Sequence, residues 1–224
     1  MNDTTAGTPS EESRPSQGAR EFIWPDYIGW GWMIVQARME ADWKGIWNYA
    51  LPHVHATEET VASTEAQLGF RLPESYRGFL LASNGWPYFY LDMTAFSTSD
   101  LLGGELHEAG QTQLELEECV EAMAADGVIA ADHFPVAASL ESIDIALMGK
   151  PDTPAEGTVS WVRGEVIERY DDFLDYYLSM MELSKQETES IRRKDGPKPD
   201  GVPHAVIDRP DSPSIIEETR RDDL

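Results

Sequence analysis

The chain has 224 residues, 41% of them apolar, enough for one good core and at most a small extra subdomain. Its 41 acidic residues against 17 lysines and arginines give a formal net charge of −24, which argues against direct nucleic-acid binding, because phosphates need clustered cations. The single cysteine, Cys119, excludes an intramolecular disulfide framework, and the longest apolar run, Tyr27–Val35, is too short for a membrane span.

Residues 1–20 are small, polar and interrupted by proline, which predicts a disordered N-terminal tail. They lack the charged-then-apolar layout of a secretory leader, so a cytoplasmic location is expected. Val35, Met39, Trp43, Ile46 and Ala50 follow helical spacing up to the break at Leu51-Pro52, with Gly45 costing that helix about 1 kcal/mol against alanine. Five of the seven tryptophans (Trp24, Trp30, Trp32, Trp43 and Trp47) fall in this region. Trp43 and Trp47, four apart, are expected to pack inward. Trp24, Trp30 and Trp32 straddle Pro25, Gly29 and Gly31 and are less obviously core, and aromatic clusters also anchor interfaces.

A second helix is expected from Thr57 as N-cap, with Glu58 and Glu59 at its positive end, Val61, Glu65 and Leu68 on one face, and Gly69 as the left-handed stop. Pro73 suits the first turn of a third helix, whose inward stripe is Tyr76, Phe79, Leu80 and Ser83 and which Asn84-Gly85 ends. An aromatic strand from about Tyr88 to Phe96 follows, and Trp86, Tyr88 and Tyr90 would share one face of it, either as core or lining a cleft.

After a loop, Leu116, Cys119, Val120 and Met123 stripe a helix closed by Gly127, which makes Cys119 a buried thiol rather than a nucleophile. Next, Ile143, Ile145 and Leu147 alternate with Asp144, Ala146 and Met148 as a half-buried strand, and two further strands flank Arg163-Gly164. A last helix starts near Asp171, with Phe173, Leu174, Tyr177 and Met181 inward. Hairpins rather than parallel crossovers predict an α+β fold, a mainly antiparallel sheet with helices packed on it. A single domain over residues 21–187 is expected, followed by a proline-rich, disordered tail over 188–224. The body carries 29 acids against 8 bases, so the acidity belongs to the folded part.

The order Glu65, Leu68-Gly69, Leu72-Pro73, Tyr76-Arg77, Phe79-Leu80, Asn84-Gly85 resembles the signature of the SUKH superfamily, and more narrowly its Smi/Knr-type branch. The strongest part of the likeness covers residues 58–86, and the later elements fall in the family's order, so the domain would span about 40–183. Where many relatives carry a second glycine after Asn-Gly, this chain has Trp86. The resemblance implies a compact, non-catalytic binding domain. In bacteria such domains serve chiefly as immunity proteins that neutralise a cognate toxin, commonly a nuclease; in fungi, related domains are regulatory scaffolds of cell-wall assembly.

The residues themselves offer little chemistry. His53 and His55 could share one side of a strand, but Pro52 points to a loop and no third ligand is near, so no metal is expected; His107 and His133 stand alone. No phosphate-binding glycine loop, nucleophile elbow or paired Cys-x-x-Cys occurs, and no cofactor is expected. Asp171-Asp172 reads as a helix cap. Glu115, Glu117, Glu118 and Glu121 crowd another helix start, where Glu117 and Glu121 repel weakly at i,i+4. They form either a solvated face or an electronegative binding face. The expected partner-contacting residues are Trp86, Tyr88, Glu117, Glu121 and Asp144, and the expected partner is a basic toxin domain, with neither nucleic acid nor membrane bound directly. A scaffold role and an enzyme using buried carboxylates are the alternatives.

Overall fold

The computed structural model describes residues 23–199 and 201. Of the predicted tails, residues 1–20 and 202–224 lie outside the described residues, while 188–195 belong to a helix. Helix α1 (Trp24–Ala41) opens the fold with Pro25 in its first turn, where a missing N–H costs nothing. The helix expected to reach Ala50 stops here instead. The Asp42 carboxylate accepts hydrogen bonds from the Ile46 and Trp47 amides at 3.0 and 2.9 Å, and a side chain that captures downstream amides competes with helix continuation. Gly45, at φ +66°, takes the turn. Trp43 and Trp47 are therefore not on one helical face, although Trp47 still packs against the core. Trp24 is more central than the sequence suggests: its ring lies 5.6 Å from those of Phe79 and Tyr177.

Helix α2 (Glu58–Leu68) follows the predicted signals. The Thr57 hydroxyl accepts from the Thr60 amide, and Gly69 ends the helix at φ +80°. Helix α3 (Glu74–Leu80) is short, with Pro73 as its N-cap and Tyr76, Phe79 and Leu80 buried. The expected single aromatic strand is a hairpin, β1 (Trp86–Tyr90) and β2 (Met93–Ala95), because Leu91 adopts φ +50° and turns the chain. Two helices then follow where one was expected, α4 (Glu105–Glu115) and α5 (Glu117–Ala125), the chain bending at Leu116.

Strands β3 (His133–Ala138), β4 (Asp144–Gly149), β5 (Val159–Arg163) and β6 (Val166–Tyr170) complete a six-stranded antiparallel sheet in sequential order. Helix α6 (Phe173–Asp195) closes the fold. It runs past Glu187, where the sequence placed the domain edge, and buries Thr188 and Ile191.

Register assigns the two faces. Ala146 pairs with Trp161, and Val159 with Tyr170, on the side where Tyr170 meets Tyr176 of α6. Pro135, Leu147, Ser160 and Arg169 align on the other side, where α4 approaches so closely that a Cβ on Gly110 would meet Pro135 at 2.6 Å. β4 is consequently buried along its whole length rather than half-buried. Only Ile143, just before it, is largely exposed.

Candidate functional site

The motif residues build the scaffold. Glu65 accepts from the Leu72 amide at 3.0 Å and faces Arg77 at 3.4 Å, tying the end of α2 to α3. The buried Tyr76 hydroxyl donates to the Phe96 carbonyl at 2.9 Å. The Asn84 side-chain oxygen accepts from the Thr98 amide at 2.9 Å, and Gly85 stands at φ +89° with the Ser97 backbone against it.

Of the five residues expected to meet a partner, two are enclosed. Trp86 is fully buried and its indole N–H donates to the Ala50 carbonyl at 3.0 Å, because the segment from Tyr49 to Ala56 covers it. It is a core residue. Asp144 is 4% exposed, and Oδ1 accepts from the Trp161 indole at 2.8 Å and from Arg163 Nε at 2.9 Å. Its second oxygen takes the Ser142 hydroxyl, so the carboxylate knits the sheet end together and leaves nothing for a partner. Tyr88 is half-buried at φ +54°, and its carbonyl accepts from Arg38 at 3.4 Å.

Glu117 and Glu121 remain at the surface, with Glu115 and Glu118 exposed beside them. Between Arg77 and Lys150 the chain holds 12 carboxylates and no lysine or arginine, and α4 and α5 lie in the middle of that run. Two exposed apolar side chains flank α5, Leu116 directly before it at 46% exposure and Ile129 in the segment after it at 48%. An acidic helix flanked by apolar knobs combines long-range steering with short-range anchoring, the two components of a protein interface.

The opposite face differs. On α1 and α6, Trp30, Met33, Ile34 and Ala37 form a groove whose rim carries Lys185, Glu189 and Arg192. Beneath its end lies a buried polar cluster: Arg38 donates to the Ser184 hydroxyl at 2.9 Å, and Asp42 accepts from the Tyr49 hydroxyl at 3.1 Å. Burial pulls the Arg38 guanidinium below its ordinary pKa and pushes the Tyr49 phenol up. These are structural pairings.

Among the described residues no three His, Cys, Asp or Glu side chains converge as a metal site requires, and no helix is long and apolar enough to cross a membrane. His53 is exposed, with Nδ1 against the Asn84 carbonyl.

A six-stranded antiparallel sheet with helices on both faces and an acidic exposed helix pair defines an α+β domain. The chain belongs to the SMI1 / KNR4 family (SUKH-1), whose family model matches residues 55–179. Membership supports a role in protein–protein interaction. No curated protein matches the chain. Helix α1 and the second half of α6 fall outside the matched segment, yet both are packed into the core.

Proposed function

We propose that the protein is a non-catalytic immunity protein that binds and neutralises a cognate toxin with a basic, nuclease-type surface. The carboxylates of α4 and α5, two helices without a lysine or arginine, carry this reading. Nuclease domains need cations to hold phosphates, and an acidic helix pair competes for that same surface. Leu116 and Ile129 supply the apolar contact that electrostatics alone lacks. The test is co-expression with the toxin domain encoded beside this gene. Restored growth and a salt-sensitive complex are expected; growth arrest unrelieved by the protein would overturn the reading.

The groove between α1 and α6 favours a second reading, a regulatory scaffold that holds another partner on the far face of the sheet. Pull-downs with the chain truncated after Gly201 and with Met33→Glu separate the two. Partners lost with Met33→Glu but kept with Glu117→Lys would favour the scaffold.

A further inference from the structure

Just beyond Ile129, a cleft of about 360 Å³ opens on the α5 side of the sheet. Val128, Ile129, Pro154 and Ala155 contribute apolar wall, and His133, Ser160, Asp132 and Asp171 contribute polar atoms. Ser160 is 2% exposed and His133 4%. The Ser160 hydroxyl has no hydrogen-bond partner among the described residues, and it lines the cleft. His133 Nδ1 lies 2.7 Å from the Ile129 carbonyl. A carbonyl can only accept, so Nδ1 carries the proton and Nε2 is left as a bare lone pair that no protein donor reaches. Burial also depresses the His133 pKa, which keeps the ring neutral and accepting. Neither the Asp132 nor the Asp171 carboxylate has a side-chain partner among the described residues.

We propose that this cleft receives the guanidinium head of an arginine presented by the partner protein, with Asp132, Asp171, His133 Nε2 and the Ser160 oxygen as acceptors. The apolar wall fits the arginine's methylene stem, and a planar head with five donors can reach several acceptors spread over one cleft. Arg169 is the one cation lining the cleft. It is exposed, pairs across the strands with Ser160, has Nη2 3.9 Å from where a Cβ on Gly127 would stand, and with Lys150 opposes positive charge at His133. This rests on the reading of the protein as a binder of a basic partner and names where that partner is anchored.

The test needs no toxin. N-acetyl-argininamide is titrated into the full chain while the ¹⁵N resonances of His133 are followed, with N-acetyl-leucinamide as the control. A saturable shift at Nε2 is expected with the arginine probe alone. Ser160→Ala combined with Asp171→Asn should weaken it about tenfold, as expected for losing hydrogen bonds to a charged group. Arg169→Gln, at an exposed position that leaves the fold intact, should tighten it. No saturable shift, an unchanged affinity in the double variant, or a weaker affinity in Arg169→Gln, which would mark an anion site, overturns the proposal. Arginine binding without rescue from the toxin would sink the immunity reading alone; rescue without arginine binding would sink the cleft alone.

Discussion

Arg38 on α1 and Ser184 on α6 meet through a buried 2.9 Å hydrogen bond, 146 residues apart in the chain. Neither residue lies within the 55–179 segment that matches the family, and their contact joins the first and last helices of the described fold. Arg38→Ala leaves Ser184 and the Tyr88 carbonyl without this donor and opens a cavity beside Tyr49. It should cost about 3 kcal/mol or more in urea unfolding. An unchanged midpoint would show that α1 is an appendage.

Gly85→Val should destabilise by about 2–4 kcal/mol, read by thermal melting. Gly85 sits at φ +89°, and a Cβ there would meet the Ser97 amide nitrogen at 2.8 Å. A β-branched residue must fight both. A variant that melts like the parent would mean the turn is built differently.

Trp86→Ala should cost about 3–5 kcal/mol, the usual range for emptying a large aromatic site. Trp86→Phe should instead leave partner affinity unchanged while losing only the bond to Ala50. A large affinity loss in a stable Trp86→Phe protein would contradict its enclosure.

Glu117→Lys with Glu121→Lys should leave stability nearly unchanged, since the pair is exposed and mutually repulsive. Association with a basic partner should slow by about tenfold at low salt, and the difference should shrink as salt rises. Stopped-flow association at two ionic strengths measures both.

His133 makes stability depend on pH. Its folded pKa is depressed below the ordinary 6.5 by burial, with Asp132 favouring the charged form and Lys150 and Arg169 opposing it. As pH falls below about 6.5 the unfolded chain takes the proton first, so stability drops through that window and is unaffected above it. His133→Gln should flatten this part of the profile, measured as urea midpoints across the range.

The parts of the fold that were legible in sequence are those set by local punctuation. Thr57 and Gly69 mark α2 because a cap and a left-handed stop act within a few residues of themselves. Arg163-Gly164 marks a hairpin for the same reason. Helix α1 was misplaced because the Asp42 carboxylate, a side chain inside an apparently continuous pattern, takes the amides of Ile46 and Trp47. Helix α4 escaped notice because it packs on the sheet through Gly110 and Gln113, which carry no apolar period. Asp144 was placed among the partner contacts because alternation in a strand cannot report that helices lie on both sides, and Trp86 was left open between core and cleft because nothing local shows that the distant Ala50 carbonyl meets its indole. The cleft draws His133, Ser160 and Asp171 from three places in the chain, and nothing in their spacing brings them together.

The joining of α1 to α6 also sets when this protein can finish folding. Trp24, near the start of the described chain, completes its surroundings only when Phe173 and Tyr177 arrive. On a ribosome, α1 can meet Phe79 of α3 early, but the chain through α6 must emerge before its contacts are complete, and loop closure across that distance is slow. Until then α1, with Trp30 and Trp32 beside Trp24, is an apolar segment in search of cover. The acidity of the remaining chain keeps such half-made molecules apart.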